Sequence, residues 1–243
     1  MDPISRVIAA GAAGAGTAEA VPLYVDDVFS TYVYEGTGSN HTITNGIDLN
    51  GKGGLAWIKC RNNSFYFFFL FDTARGVSSK ISSAQNTSAS SNNNTVFRAF
   101  NSDGFEIGSS SQLNNSSLDY VSWTFREAPG FLDIVTWTGD TNSTKTLNHS
   151  LGSVPGCIMV KNLSLSSTDW MVYHRSRGST KYIELNNRFD EETSTNACND
   201  TDPTSTQFTV GSFSNSNKSQ YVAYLWAHDD QSFGENREEA IVK

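Results

Sequence analysis

The stretch Gly54-Leu-Ala-Trp-Ile-Lys59 returns as Gly156-Cys-Ile-Met-Val-Lys161, 102 residues further along the chain. In both copies a glycine opens an apolar run that a lysine closes, and the same offset carries Arg75-Gly76 onto Arg177-Gly178 without a gap. Working outward, Tyr32-Val-Tyr-Glu-Gly36 matches Val135-Thr-Trp-Thr-Gly139, and Phe105-Glu-Ile-Gly108 matches Phe208-Thr-Val-Gly211, each at an offset of 103. Tyr120-Val-Ser-Trp-Thr-Phe125 recurs as Tyr221-Val-Ala-Tyr-Leu-Trp226. Landmarks that keep one order, with spacing that drifts by only one or two residues, signal tandem duplication of a unit of about 100 residues.

The matched segments read as strands. In Tyr120–Phe125, Tyr, Ser and Thr alternate with Val, Trp and Phe, the pattern of a strand with one face buried. Trp57-Ile-Lys-Cys60, then Arg-Asn-Asn-Ser, then Phe65-Tyr-Phe-Phe-Phe-Leu-Phe71 reads as strand, polar turn, strand. That aromatic run has no polar face, so it needs cover on both sides or becomes an aggregation hazard. The equivalent Ser167-Thr-Asp-Trp-Met-Val-Tyr173 is far less apolar. The expectation is an assembly interface formed by Phe65, Tyr66, Phe67, Phe68, Phe69 and Phe71 in the first unit only, making the chain a homo-oligomer or packing it on a neighbouring domain. Burial within the first unit's own fold is the alternative.

Short strands separated by Gly-, Asn- and Ser-rich turns predict an all-β protein of two tandem antiparallel β-sandwich units. Arg126-Glu-Ala-Pro-Gly130 reads as a short hinge, which divides the chain into residues 25–129 and 130–243. Ahead of them, residues 1–24 form a Gly/Ala-rich arm in which Val7 to Ala20 has almost no side chain able to build a core. That stretch ends Ala18-Glu-Ala20 like a secretory signal, but the chain lacks a positively charged start, so it reads better as a docking arm, disordered or held by a partner.

Of the 243 residues only 17% are charged, and the net charge is −8. The 17 Lys and Arg form no run that could track a phosphate backbone, which argues against nucleic-acid partners. No stretch approaches the roughly 20 apolar residues of a membrane span. Cys60, Cys157 and Cys198 have neither paired nor CxxC spacing and read as free, buried thiols.

The search for chemistry predicts no catalytic residues, metal or cofactor. The four histidines His41, His149, His174 and His228 stand apart, and no nucleophile elbow, phosphate loop or zinc-ligand pair occurs. The carboxylate clusters Asp26-Asp27, Asp190-Glu-Glu192, Asp229-Asp230 and Glu235–Glu239 lie in polar turns or at the terminus and read as solvated surface. The Asn-x-Ser/Thr sequons, such as Asn40-His-Thr42, reflect turn composition. The best candidate binding stretch is Trp170-Met-Val-Tyr173-His174-Arg175 with Arg177. There the rings suit sugar faces, and the guanidinium groups suit acidic groups on surface polysaccharide. A core tryptophan beside a salt-bridged arginine is the alternative, with Arg-Gly serving a turn in both units.

The phrases Val25-Asp-Asp-Val-Phe-Ser-Thr-Tyr32, Thr42-Ile-Thr-Asn-Gly-Ile-Asp-Leu49, Phe71-Asp-Thr-Ala-Arg-Gly76, Phe100-Asn-Ser-Asp-Gly-Phe105 and Trp123-Thr-Phe-Arg-Glu-Ala-Pro129 resemble a family of repeat-containing virion proteins of marine phages and cyanophages. The resemblance continues through Leu151-Gly-Ser-Val-Pro-Gly156 and Tyr221-Val-Ala-Tyr-Leu-Trp-Ala-His-Asp-Asp230. It implies concanavalin A-like, jelly-roll sandwiches on a tail fibre or other appendage, without catalysis. Residues 1–24 would dock on other virion proteins, and the sandwiches would serve assembly or attachment to host cell-surface polysaccharide. A capsid decoration or capsid fibre protein, a carbohydrate-binding module and a glycan-degrading enzyme are the competing readings. The last residues, 238–243, resemble the start of a further unit (compare Asp133-Ile-Val-Thr136).

Overall fold

The computed structural model describes residues 22–66, 68–91, 93–228 and 233–234. The arm up to residue 21, Phe67, Asp229-Asp230, the Glu235–Glu239 cluster and the further unit expected at 238–243 lie outside the described residues. The fold is all-β: antiparallel strands, with no described α-helix longer than four residues.

Strands are numbered in chain order. One six-stranded sheet runs β1 (Phe29–Glu35), β9 (Asp119–Arg126), β3 (Gly54–Cys60), β4 (Phe69–Asp72), β5 (Ser79–Ser82), β6 (Ser90–Ser91). The other runs β10 (Leu132–Thr138), β17 (Gln220–Ala227), β12 (Pro155–Asn162), β13 (Met171–His174), β14 (Lys181–Glu184), β15 (Glu192–Thr193). Each half also has a small sheet. In the first half it is β2 (His41–Thr44), β8 (Gly104–Ile107), β7 (Phe97–Asn101), and in the second β11 (Lys145–Asn148) with β16 (Gln207–Val210). The two large sheets share one strand order, and the sequence-matched strands β3 and β12 take the same central place beside β9 and β17.

Both faces of each large sheet are covered. On one face, Ala56, Ile58 and Phe71 meet Phe97 and Phe105 of the first small sheet, while Ile158, Val160 and Tyr221 meet Phe208 and Val210 of the second. On the other face, Leu55, Leu70 and Ile81 join Met159, Val172, Trp170 and Tyr224 in a third core that lies between the two large sheets. The halves are therefore packed face to face, and their inner surfaces are apolar because neither meets water.

This packing bears on three expectations. Alternation in Tyr120–Phe125 does not separate a wet face from a dry one. Tyr120, Ser122 and Thr124 are buried toward the first core, where Tyr120 donates to Ser111 O (3.0 Å) and Thr124 Oγ1 accepts from Asn45 (2.8 Å). Phe125, of opposite parity, packs in the core between the sheets. The aromatic run is not one strand: Ser64–Tyr66 form a turn and β4 starts only at Phe69. Its cover comes from within the chain. Phe69 and Phe71 enter the first core, Leu70 faces the second half, and Tyr66 packs against the first core. Phe68 is half-buried beneath the Lys59 ammonium, and Phe65 alone of the described run stands out, at 87% exposed. Nor does the second half stand apart from this contact, since Trp170 and Val172 form the other side of it.

Polar groups stitch the buried face together. Arg75 Nε donates to Asp72 Oδ2 (2.6 Å), and Tyr224 of the other half donates its hydroxyl to the same oxygen (2.7 Å). The Arg75 side chain is 4% exposed and that of Asp72 is 0%. Trp170 Nε1 donates to Ser82 O (2.9 Å), and Ala89 N donates to Leu163 O (2.9 Å). A buried polar group left without a partner costs about 1–3 kcal/mol, so these bonds fix the register of one sheet over the other. The segment expected to be a hinge is also tied down. Glu127 N donates to Gly53 O, Ala128 N to Leu132 O, Gly130 N to Leu151 O, and Ile134 N to Glu127 Oε1.

Two outcomes follow from this packing. Urea unfolding followed by tryptophan fluorescence will show one transition. Asp72→Ala, which strands the Arg75 charge, will cost about 3–5 kcal/mol, whereas replacing Asp72, Arg75 and Tyr224 together by Leu, Met and Phe will recover most of it. Two separate transitions would contradict the shared core. Burial, reinforced by the charges of Asp133 and Asp72, pushes the Glu127 carboxyl up to about 7 against the opposing Ile134 N–H bond. The folded chain then holds a proton that the unfolded chain has released, so this group's contribution to stability declines as pH rises from about 4.5 to about 7. Glu127→Gln will remove that decline and raise the urea midpoint at pH 8 more than at pH 5; an equal shift at both would refute the assignment.

Candidate functional site

A cavity of about 210 Å³ opens at the margin of the second core. β12 supplies Val160, β13 supplies Met171 and β17 supplies Tyr221, which make an apolar floor. β14 contributes Tyr182 and Glu184, and the loop before β13 contributes Thr168 and Asp169. Phe213, on the 3-10 turn Ser212–Ser214, is 46% exposed at the rim and meets the Tyr182 ring edge to face at 5.6 Å.

Local hydrogen bonds shape the walls. Asn162 Oδ1 accepts from Ser164 N and Leu165 N (both 2.9 Å), which turns the chain away from β12. Ser167 takes a left-handed conformation (φ 61°), and Lys161 Nζ donates to Thr168 O (2.6 Å), drawing the loop back. Asn186 accepts from Trp170 N (2.8 Å) and donates to Asp169 Oδ1 (2.7 Å), setting the position of that carboxylate. Asn187 Nδ2 donates to Glu184 Oε2 (2.9 Å). Among the described residues, the second oxygen of Asp169 and of Glu184 receives no donor.

The electrostatics are acidic. Tyr182 donates to Glu192 Oε2 (2.6 Å), and its phenol is pushed well above the ordinary range by burial first and then by that carboxylate. The Glu184 carboxyl is also raised, by burial first and by the nearby charges of Asp169 and Glu192, against the Asn187 bond. Burial draws the Lys161 ammonium down to about 8, and Asp169 partly offsets this. The arrangement offers hydrogen-bond acceptors and ring edges.

The residues expected to bind do not converge. Trp170 lines the cavity but is fully buried, stacked on Tyr224 at 6.2 Å between the large sheets, so its ring face is closed to a sugar. Tyr173 is buried in the second core, where burial pushes its phenol up to about 12. His174 Nδ1 lies 2.8 Å from Ser176 Oγ, and Arg175 Nη1 lies 3.1 Å from His228 Nδ1. Arg177, 60% exposed, pairs with Glu191 at 3.4 Å. The core-tryptophan alternative describes Trp170. The Arg-Gly turns do repeat, with Gly76 at φ 75° and Gly178 at φ 78°, but His174 stands where Asp72 does and the buried ion pair is not repeated. Asp169, Tyr182, Glu184 and Phe213 were missed. The one signal for them was the loss of bulk at Ser167-Thr-Asp169 relative to Phe65-Tyr-Phe67.

A family model described as a domain of unknown function, DUF7483, matches residues 25–234. The chain belongs to that family. The match spans both halves as one domain, in keeping with the core they share. No curated protein and no solved structure matches the chain. Among the described residues, no helix is long and apolar enough to cross a membrane, and no group of three or more His, Cys, Asp or Glu is placed to hold a metal ion.

The cysteines are unpaired, with Cys60 and Cys198 buried. Burial pushes the Cys157 thiol up to about 11 and that of Cys198 up to about 12, the latter helped by Asp200 and Asp202. Because the thiolate is the reactive form, these two will resist a disulfide reagent in the folded protein at pH 8 and react freely in denaturant. Prompt native reaction at Cys157 or Cys198, located by peptide mass spectrometry, would show that they are not held in this way.

Proposed function

We propose that this chain is a structural component of a bacteriophage virion, a tail fibre or other tail or capsid appendage. In this reading two fused lectin-type sandwiches project from the particle, and residues 1–24 dock on other virion proteins. The observation that carries it is the duplicated strand order, locked face to face through a buried core, in a chain whose sequence resembles repeat-containing phage virion proteins across both halves. A rigid body of this kind suits a projecting part, because a spacer that transmits or resists force must not flex at its middle. The reading assigns no catalysis, cofactor, nucleic-acid contact or membrane insertion. It no longer needs an oligomer to cover Phe65–Phe71, since the chain covers most of that run itself.

A second reading, a carbohydrate-binding module, is favoured by the cavity in the second half. The two are compatible if attachment to host polysaccharide is what the appendage does.

Purified particles, examined by antibody labelling and mass spectrometry, will contain the chain at a regular surface position. Deleting residues 2–20 will leave circular dichroism and the urea midpoint unchanged but remove the protein from particles. Particles that lack the full-length chain would defeat the virion reading, and normal incorporation of the truncated chain would defeat the docking role.

A further inference from the structure

Lys59 Nζ donates to Tyr66 O (2.5 Å), just as Lys161 Nζ donates to Thr168 O (2.6 Å), and each lysine lies seven residues before its acceptor. Positions 66 and 168 are thus held by the same clamp. In the first half that position carries a tyrosine packed against the core. It lies near enough to Tyr120 to add to burial and Cys60 in raising that phenol to about 12. In the second half a threonine stands there, beside Tyr221, the counterpart of Tyr120, and the cavity is open.

The mouth differs in the same sense. In the first half Lys80 Nζ donates to Gln112 Oε1 (2.7 Å) while lying 4.9 Å over the Phe69 ring, a bridge from β5 to the short helix Ser111–Asn114. Their counterparts by the repeat are Tyr182 and Phe213, which frame the opening with two rings. One half thus sets a tyrosine and a lysine–glutamine bridge where the other sets a threonine and two rings.

We infer that the open cavity of the second half binds a single uncharged pyranose unit, at the end or on a branch of a glycan. At about 210 Å³ it is smaller than the roughly 300–1,000 Å³ of most small-molecule sites, so it takes one ring in depth. The carboxylates of Asp169 and Glu184, each steadied by an asparagine, accept hydrogen bonds from hydroxyl groups, and charge-assisted bonds of this kind are the stronger ones. Tyr182 and Phe213 offer apolar surface to the C–H face of the ring. With Asp169, Glu184 and Glu192 grouped there, a uronate or sulfated sugar is repelled. This deepens the attachment reading and rests on it for where the glycan is met, but not for the binding itself.

The test uses the full-length protein, with methyl glycosides of glucose, galactose, mannose and N-acetylglucosamine as probes, read by ligand-observed NMR and calorimetry at pH 7. At least one neutral glycoside will bind, and the matching uronate will bind at least roughly tenfold more weakly. Asp169→Ala or Glu184→Gln will each weaken binding about tenfold, the loss of one charge-assisted hydrogen bond. Thr168→Tyr, which copies the residue clamped at this position in the first half, will abolish binding. Each variant must keep the wild-type urea midpoint to within a small shift. If Thr168→Tyr fails that check, Asp169→Asn and Phe213→Ala replace it, and each must weaken binding. No binding by any neutral glycoside, equal binding of the uronate, or a folded Thr168→Tyr that binds normally overturns the inference, as does tighter binding of tetramethylammonium, which would mark a cation site. Because particle incorporation is scored separately, failure here leaves the virion reading standing, and failure there leaves the binding result intact.

Discussion

A β-sheet with apolar side chains on both faces has to be covered twice, and here the second cover of each large sheet is the other large sheet. Leu55, Leu70 and Ile81 on one side and Met159, Val172 and Tyr224 on the other lose water only by meeting one another. Apolar burial of this kind has no direction, so it does not by itself choose one sliding position. Direction comes from Asp72, Arg75 and Tyr224, whose hydrogen bonds close only in one register, and from Trp170, whose indole finds the Ser82 carbonyl.

That constraint explains how unequally the two copies have diverged. The turn Asp72–Gly76 must supply a buried ion pair, and its counterpart His174–Gly178 need not, so the latter carries an exposed Arg177. The loop before β4 lays Tyr66 against the first core. The loop before β13 contributes Leu163 and Trp170 to the shared core, but its stretch Ser166–Asp169 is small and polar, which leaves space beside Met171 and Tyr221. What both loops keep is the lysine clamp, since a turn after a central strand still needs its carbonyl satisfied wherever its side chains go.

Much of the fold was legible because repetition and period-two patterning are local properties. The paired hexapeptides became β3 and β12, and the turn glycines Gly76 and Gly178 sit in the same left-handed conformation. The Pro-Gly segment after Arg126 misled, because a turn signal reports where the chain bends and not whether the bend is free. Glu127 and Ala128 are bonded on both sides.

By itself the sequence determined the all-β class, the repeated landmarks, and the apolar run whose last part, Phe69–Phe71, is covered on both faces. Each of these follows from the order and spacing of side chains along a strand. Only the tertiary structure decided which surface supplies the cover, which face of Tyr120–Phe125 looks inward, and that Trp170 is closed to solvent while Asp169, Glu184 and Phe213 share an opening. Those outcomes depend on contacts between residues up to about 150 positions apart, such as Asp72 and Tyr224, and spacing along the chain does not encode which distant surfaces meet.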